Sequence, residues 1–310
     1  MKFSAKEIMH QVSNKTNVLK EVSETERRKL QKIQLRILID VQKACKEIGV
    51  ECVLCGGSCL GAIRHHGFIP WDDDIDISLF RKDWNIFKKH FEDILGDKYV
   101  LESPNYGNKD TKYPWSTIYL KNTEMQNLLD VNLPYCKGIY IDVFVIENVP
   151  DNKVVQKMDA IVTAGMKYIA NSMLFYKYPS NELKTFFSVT FKSRMYYQFR
   201  RLLGFSFSFV SHKKFLKWYD KFVSRHSDET EMVTIPTGTH LYLGEMLSRK
   251  VWLPYSKAMF CGVEVNLPHL PEKYLTMMYG ANYMEIPPVK DRISHFVYSL
   301  KFPDDQVFID

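Results

Sequence analysis

Four aspartates crowd into five positions of this chain, Asp72 to Asp76, and only Ile75 interrupts them. From Asp74 to Leu79 acidic and apolar residues alternate, which is the period of a β-strand with one buried face. Asp74 and Asp76 would then project from the same face, where two like charges repel each other unless a cation or a proton relieves them. The pattern therefore predicts a strand whose polar face carries a site, because a merely solvated face would not need so many acids.

A glycine turn precedes these acids. Val50 to Cys55 is a short apolar run typical of a buried strand, and it breaks at Gly56-Gly57-Ser58. Such a turn between a strand and a helix exposes backbone N–H groups where a phosphate can bind, although the tripeptide alone indicates no more than a turn. Mg²⁺ is bound through one or two carboxylates and keeps its other positions for water and phosphate. Turn and acids together therefore predict a site for a cation and a phosphate.

A third acid lies much later in the chain. Asp142 stands inside the otherwise apolar, strand-like run from Ile139 to Ile146. A buried, unpaired carboxylate costs free energy, so that Asp142 must be neutralised by a proton, a basic partner or a metal. Two interpretations stay open at this point. Asp142 forms a salt bridge with a Lys or Arg, or it joins Asp74 and Asp76 around the same ion.

Strand and helix patterns are mixed along the chain, which predicts an α+β fold with a mixed or antiparallel sheet. Ser23 and Glu26 form a capping-box signature at the start of a long amphipathic helix that ends at Gly49. Met259 to Val265 is predicted to be one strand, and Pro271 to Tyr279 a short helix. The sequence contains no internal repeat, as expected of an ordinary globular fold.

Basic charge is confined to one segment. The 310 residues carry a net charge of +6, but residues 177–221 contain ten Lys or Arg against only Glu182 and Asp220. Large aromatic residues alternate with these basic residues. Amphipathic helices that bury one face explain the pattern, and interfacial segments that bind anionic lipid explain it equally well. Nucleic acid is not expected as a partner, because no binding module for it is recognisable.

The remaining composition is that of an ordinary globular protein. With 45% hydrophobic and 25% charged residues, the chain can bury a core, which excludes a disordered or fibrous class. No apolar stretch reaches the ~18 residues of a spanning helix, and the first residues lack the apolar core of a secretion signal. We expect a cytoplasmic protein, with peripheral contact at the inner face of the membrane as the open alternative.

The stretch from Gly56 to Ile77, GGSCLGAIRHHGFIPWDDDIDI, resembles the signature of the LicD family. This family belongs to the polymerase-beta-type nucleotidyltransferases and includes bacterial phosphocholine transferases and fukutin-type ribitol-phosphate transferases. Ser58 and Cys59 replace the Thr or Leu of most relatives, a departure that leaves the acids untouched.

Two further stretches are similar to the family. Tyr140 to Pro150 resembles its second motif, and Trp252 to Tyr279 resembles its C-terminal motif. The likeness thus runs from about Gln31 to His295, and it is interrupted by residues 177–221, which match nothing in the family.

The resemblance implies a fold and a division of the chain. The expected fold is α+β, a polymerase-beta-type nucleotidyltransferase core with a mixed sheet, flanking helices and a basic helical insertion. Residues 1–150 would form the catalytic core with its N-terminal helix, residues 151–230 the basic and aromatic helical insertion, and residues 231–310 the C-terminal part of the catalytic domain.

The resemblance also implies an activity. It is the transfer of phosphocholine, or a related alcohol phosphate, from a CDP-linked donor to a hydroxyl of a glycan or glycolipid precursor of the cell surface, dependent on Mg²⁺ or Mn²⁺ and releasing CMP. Two alternatives stay open. One is a nucleotidyltransferase that moves NMP from an NTP to a small molecule or a protein, and the other is a non-catalytic, membrane-associated scaffold.

Site residues follow from the matched motifs. Asp74, Asp76 and Asp142 are the expected metal ligands and catalytic residues, and Asp142 is the candidate to orient or deprotonate the acceptor. Arg64 suits bidentate recognition of a phosphate. The expected substrate-binding residues are Gly56, Gly57, Ser58, Arg64, His65, Trp71, Lys290, Arg292 and His295.

Overall fold

The computed structural model describes residues 19–107, 111–135, 137–288, 292 and 296–304. Within these residues the centre is a mixed sheet of seven strands. Five of them lie side by side, and β3 and β7 run parallel while their other neighbours on this path run antiparallel. Their order is β2 (Val53–Leu54), β3 (Asp76–Phe80), β7 (Tyr140–Asn148), β5 (Ser116–Leu120) and β4 (Tyr99–Glu102). The mixed sheet confirms the predicted α+β class.

The far end of β7 extends the sheet in a second direction. Glu147 and Asn148 pair antiparallel with β8 (Met232–Thr234), and β8 pairs with β9 (Leu247–Ser248). The polypeptide after residue 230 therefore returns to the same sheet that the first 150 residues begin.

Helix α1 (Glu24–Glu47) covers one face of the sheet. It begins with the predicted capping box, in which the Ser23 hydroxyl accepts the Glu26 N–H and the Glu26 carboxylate accepts the Ser23 N–H at 3.1 Å. The apolar stripe of α1 is buried in the main core together with α3 (Arg81–Leu95) and the inward residues of the strands. These inward residues are Ile77, Leu79, Ile118, Ile141 and Val143, all fully buried.

The other face of the sheet is polar and aromatic. Because side chains alternate along a strand, Asp76 and Asp142 lie on the face opposite to those isoleucines and valines. Thr117 is the register partner of Asp142 on the other side and shares this face. One sheet thus supplies both a core and a row of polar groups.

Residues 153–223 form four helices, which are α4 (Lys153–Lys177), α5 (Asn181–Ser188), α6 (Phe191–Ser206) and α7 (His212–Val223). Asn152, Ser180, Thr190 and Ser211 cap their N-termini through side-chain oxygens, as these residue types favour. The helices have apolar clusters of their own, one around Phe186 and another around Leu216. Among the described residues no helix is both long enough and apolar enough to cross a membrane. The assignment of residues 151–230 as a helical insertion with these boundaries stays a prediction.

The C-terminal part corrects one sequence prediction. The predicted single strand from Met259 to Val265 is wrong, because Cys261 and Gly262 adopt φ values of +50° and +81° and reverse the chain. The result is a hairpin of β10 (Ser256–Phe260) and β11 (Val263–Leu267). The predicted helix from Pro271 to Tyr279 is confirmed and ends at Gly280. This helix is α10. The other helices outside residues 153–223 are α2 (Gly56–His65), α8 (Leu241–Gly244) and α9 (Arg249–Trp252).

Short strands tie the two ends of the described chain to the body of the molecule. β1 (Lys20–Glu21) pairs with β12 (Phe296–Val297), and β6 (Glu124–Gln126) pairs with β13 (Ser299–Lys301). Neither pair has a hydrophobic alternation long enough to be recognised in the sequence, so both were missed.

Candidate active site

The three aspartates singled out in the sequence approach each other at one end of the parallel strand pair. Asp76 on β3 and Asp142 on β7 are direct register partners. The Asp142 N–H donates to the Ile75 carbonyl at 3.0 Å, which fixes β7 to the acidic loop just ahead of β3. The hydroxyl of Thr117 donates to Asp142 Oδ1 at 2.8 Å from the neighbouring strand. Residues 66 positions apart in the chain are therefore adjacent in the sheet.

Electrostatic interactions link the same three carboxylates. Burial, followed by the charges of Asp74 and Asp142, raises the pKa of Asp76 well above its ordinary value. Burial and the charge of Asp74 raise the pKa of Asp142 to about 7, although the Thr117 hydrogen bond and the charge of Lys112 act in the opposite direction. The charged forms of these acids are thus held at an electrostatic cost that a proton or a cation would relieve.

The chemistry of these donors fits a hard divalent cation, because carboxylate oxygens are the ligands that Mg²⁺ prefers. Across the described part of the chain, however, no three or more His, Cys, Asp or Glu side chains lie in a ready-made metal-binding arrangement. The assignment of Asp74, Asp76 and Asp142 as metal ligands therefore stays a prediction.

Helix α2 begins at Gly56, so the three residues predicted as a turn between strand and helix form the first turn of the helix itself. A Cβ atom at Gly56 would come within 2.7 Å of Asp76 Oδ2, and one at Gly57 within 2.8 Å of Asp72 Oδ2. Gly56 also has a φ of +53°, which a residue with a side chain rarely adopts. The two glycines are thus explained by the close approach of carboxylates to the backbone.

Two of the predicted phosphate contacts already have protein partners. The Gly56 N–H donates to the Tyr274 hydroxyl at 2.8 Å, which joins the start of α2 to α10. The buried Ser58 hydroxyl accepts the Asp76 N–H at 2.9 Å and so anchors the first residue of β3. Both contacts position the acids, and a direct contact of Gly56, Gly57 or Ser58 with phosphate stays a prediction.

Three predicted substrate-binding residues surround a fourth, Trp71. The Arg292 guanidinium lies 4.4 Å from the ring centroid and that of Arg64 lies 6.0 Å away, while the His65 ring meets the indole edge-on at 6.2 Å. Arg64 Nε donates to His65 Nε2 at 3.0 Å. Burial and the charge of Arg64 lower the pKa of His65, so that its imidazole is a neutral acceptor.

Arg64 also reaches the C-terminal segment. Its Nη1 donates to the carbonyls of Tyr283 and Glu285 at 2.7 and 3.0 Å, so that one guanidinium connects α2 to the chain that leads to Arg292. The structure therefore brings Arg64 of the first motif and Arg292, which follows the C-terminal motif, to the same indole ring. Lys290 and His295, the other two predicted substrate-binding residues of this last segment, lie outside the described residues.

Two glutamines that sequence reasoning passed over hold the acidic loop in place. Gln31 Nε2 donates to the Asp72 carbonyl at 2.7 Å, and Gln34 Nε2 donates to the carbonyls of Asp73 and Tyr140 at 2.6 and 3.2 Å. Gln34 is fully buried in the apolar stripe of α1. A polar residue at a core position of the helical period was the signal that could have identified it.

A buried ion pair lies beside Asp142 and was also missed. Lys112 Nζ pairs with Asp130 at 3.1 Å, and both side chains are almost wholly buried. The ammonium group also lies 5.0 to 5.9 Å from the ring centroids of Tyr113, Tyr119 and Tyr140. The cation that acts on Asp142 is therefore held by its own partner, so the alternative in which Asp142 forms an ordinary salt bridge gains no support from Lys112.

A loop from the C-terminal part adds a further acid, Glu245. Glu245 accepts the His240 N–H at 3.0 Å, and its charge contributes to the raised pKa of Asp76. Lys167 of α4 donates to the carbonyls of Thr237 and Gly238 in this loop at 2.6 and 3.0 Å, and burial lowers the pKa of Lys167 to about 8. No motif in the sequence marks Glu245 or Lys167, since the position of each side chain depends on contacts between distant elements.

Comparison with known proteins points to one family. The family described as "LicD/FKTN/FKRP, nucleotidyltransferase domain" matches residues 49–175, which include the three aspartates as well as Gly56 and Gly57 of α2. Lipopolysaccharide cholinephosphotransferase LicD of Haemophilus influenzae is 24% identical over 276 residues, covering 87% of this chain and 96% of that protein. An uncharacterised protein of Rickettsia typhi is 33% identical over 60 residues, which cover 19% of this chain and 18% of that one.

Proposed function

Since this chain belongs to the LicD family, we propose that it transfers phosphocholine from a CDP-linked donor to a hydroxyl of a cell-surface glycan precursor. The observation that carries the proposal is the register pairing of Asp76 with Asp142, beside Asp74 and inside the segment that the family matches. The relative from H. influenzae, whose name specifies cholinephosphotransfer to lipopolysaccharide, supports the choice of group and acceptor because the two chains align over almost the whole of that protein.

The reaction is a single phosphoryl-group transfer. The oxygen of the acceptor hydroxyl forms a bond to the phosphorus that carries choline, and the bond from that phosphorus to the bridging oxygen breaks. CMP leaves with the bridging oxygen and its electron pair, and the hydroxyl proton passes to a base. Charge on the leaving phosphate and on the equatorial oxygens must be stabilised by the protein and its cofactor.

Asp142 is the residue that we assign to the acceptor. Thr117 fixes its Oδ1 by a hydrogen bond of 2.8 Å, and its backbone is tied to Ile75, so the carboxylate has a defined direction. In this position it orients the attacking hydroxyl or accepts its proton. The same position lets Asp142 serve as a ligand of the cation.

Asp74, Asp76 and Asp142 are the proposed ligands of Mg²⁺ or Mn²⁺. When bound, the cation neutralises the phosphates of the donor and the charge that develops on CMP. Asp76 is the central ligand in this assignment, because it is the register partner of Asp142 and stands two residues after Asp74.

The cluster around Trp71 is the proposed binding site for the donor phosphates. Arg64 and Arg292 bring two guanidinium groups to one indole ring, and a guanidinium suits bidentate contact with phosphate. The carboxylate of Asp72, the residue after Trp71, approaches Gly57 in the first turn of α2. Donor phosphates between the cluster and the three aspartates would be contacted by positive groups on one side and by the cation on the other.

The same proposal includes the finer fold assignment. The core would be a nucleotidyltransferase core of the polymerase-beta type, with the catalytic part in residues 1–150 and 231–310 and the helical insertion in residues 151–230. The return of β8 and β9 to the central sheet after residue 230 supports this division.

Two incubations of the purified protein test the proposed reaction. CDP-choline with Mg²⁺ and a lipopolysaccharide extract should yield CMP and choline-labelled glycan, and CTP with Mg²⁺ should yield no pyrophosphate. Asp142→Asn should abolish CMP release, whereas Asp93→Asn, which removes an exposed carboxylate on α3, should leave it unchanged. Pyrophosphate from CTP would replace the proposal by nucleotidyl transfer, and inactivity with CDP-alcohols and CTP alike would favour a scaffold.

A further inference from the structure

Helix α6 presents a continuous apolar stripe to solvent. Its members recur every three or four residues, which places them along one side of a helix of 3.6 residues per turn. Each is more than half exposed, with exposed fractions between 55% and 73%. They are Phe191, Met195, Phe199, Leu202 and Phe205. Phe209, in the connection to α7, continues the apolar surface and is 81% exposed. A stripe of five large apolar side chains is far more than the isolated exposed apolar residue that is normal on a soluble surface.

The opposite side of α6 is firmly packed, so the stripe is not the result of a loosely attached helix. Gly204 lies so close to the Ser172 carbonyl of α4 that a Cβ atom would collide with it. The Arg200 guanidinium lies 4.1 Å from the centroid of the Tyr168 ring, and the rings of Tyr197 and Phe175 lie 6.0 Å apart. Helix α4 thus fixes α6 with the apolar stripe directed away from the protein.

The charge around the stripe has one sign. Between Glu182 and Asp220 the chain contains eight Lys or Arg and no acidic residue. Lys192 and Arg194 are exposed on α6 itself, and Asp220 is paired with the partly buried Arg81 at 3.0 Å. Exposed Trp218 on α7 lies 5.4 Å from the Lys214 ammonium and adds an amphipathic ring of the type found at membrane interfaces.

We propose that α6 docks on the surface of a lipid bilayer that contains anionic lipid, with its axis along the interface and the stripe inserted among the acyl chains. Apolar burial and attraction of Lys and Arg to anionic headgroups act together in such a helix. Charge complementarity favours an anionic bilayer over a second copy of the chain as the partner of α6, because two copies would bring two strongly basic segments together. Docking would place the site on the lipid surface through α4, whose Lys167 contacts the loop beside Glu245.

Vesicle co-sedimentation tests this proposal without any turnover, so its failure is distinguishable from failure of the proposed reaction. The full chain should bind vesicles of phosphatidylcholine with ~30% phosphatidylglycerol at least about tenfold more tightly than vesicles of phosphatidylcholine alone. Phe199→Gln with Leu202→Gln should lower binding to the anionic vesicles by about tenfold or more, since two inserted side chains are lost. Met259→Gln, at a half-exposed position of β10, is the matched control and should bind as the unchanged protein does.

Charge is tested separately from apolar insertion. Lys192→Glu with Arg194→Glu places acids in the first turn of α6, where they favour the helix, so a loss of binding is not a loss of folding. This variant should lose the preference for anionic vesicles, whereas Lys43→Glu with Lys46→Glu on α1 should retain it. The proposal is overturned if the unchanged protein does not sediment with anionic vesicles. It is equally overturned if the chain is a dimer in analytical ultracentrifugation that Phe199→Gln with Leu202→Gln converts to monomer.

Discussion

At the scale of single residues, Gly56 meets two requirements at once. Its φ of +53° lies in the left-handed region, and Asp76 Oδ2 occupies the space where a Cβ atom would be. Gly49 offers the matched comparison, because its φ of +70° is also left-handed while no atom lies within 4 Å of the position that a Cβ atom would take there. The difference between the two positions isolates the contact with the carboxylate.

Gly56→Ala should therefore lower the free energy of unfolding by about 1–3 kcal/mol and also abolish CMP release from CDP-choline. Gly49→Ala should lower the free energy of unfolding by about 1 kcal/mol with activity retained. Urea unfolding and initial rates measure the two effects. Full activity in Gly56→Ala would contradict the close approach of Asp76 to the start of α2.

Thr117 gives a second prediction at this scale, because its hydroxyl directs the Asp142 carboxylate. Thr117→Val keeps the shape of the side chain and removes the hydrogen bond to Oδ1, so kcat should fall by about 10–100-fold while KM for the donor changes little. Thr117→Ser retains a hydroxyl and should recover most of the rate. Equal losses in the valine and serine variants would show that packing, and not the hydrogen bond, is what Thr117 contributes.

The sequence identified the acids of the candidate site better than their supports. Asp74, Asp76 and Asp142 stand out in the sequence because a carboxylate in an apolar strand costs free energy unless it is neutralised. The sheet register does bring Asp76 and Asp142 together. Lys112 and Glu245 have no such signal, since an isolated Lys or Glu in a sequence is normally exposed. Their burial depends on Asp130 and on the loop at His240, which only the tertiary structure brings close.

At the scale of elements, helix α1 shows how local signals succeed. Lys20 and Ser23 hold the pKa of Glu26 at about 2, well below its ordinary value of 4.5, by hydrogen bonds to its carboxylate. The stabilisation by the Glu26 charge is fully present above pH 4.5 and is lost as the pH falls through about 2.

Glu26→Gln keeps an amide that can complete the capping box but removes the charge. At pH 7 the free energy of unfolding of the variant should be about 0.5–1 kcal/mol lower than that of the unchanged protein. This difference should vanish near pH 2. Denaturant titrations between pH 2 and 7 measure it, with Glu47→Gln in the last turn of α1 as the control for loss of one exposed charge. A difference that stays constant down to pH 2 would refute the role of the charge.

Longer-range elements show where local signals fail. The helix from Pro271 to Tyr279 was predictable to the residue, because Pro at its first position and Gly280 after its end are strong local stops. The hairpin at Cys261 and Gly262 is not recognisable in the sequence, because a two-residue turn between apolar residues leaves the alternation of a single strand almost unchanged. The pairs of β1 with β12 and of β6 with β13 depend on segments that are far apart in the chain and meet only after folding.

At the scale of the whole molecule, the helices of residues 153–223 are connected to the sheet at several buried points. Arg81 forms ion pairs with Glu147 of β7 and with Asp220 of α7. Asn148 of β7 donates to the carbonyl of His226, just after α7, at 2.9 Å. Lys167 joins α4 to the loop beside the acids. If α6 docks on lipid, these connections are the physical link between the membrane and the site.

The central claim is that Asp74, Asp76 and Asp142 share a divalent cation, and Mn²⁺ binding followed by electron paramagnetic resonance tests it most directly. The unchanged protein should bind Mn²⁺, and Asp76→Asn and Asp142→Asn should each weaken binding by about tenfold or more, since each removes a charged oxygen ligand. Asp93→Asn should bind Mn²⁺ as the unchanged protein does. Binding that is equally tight in all of these variants, or absent from the unchanged protein, would contradict the account.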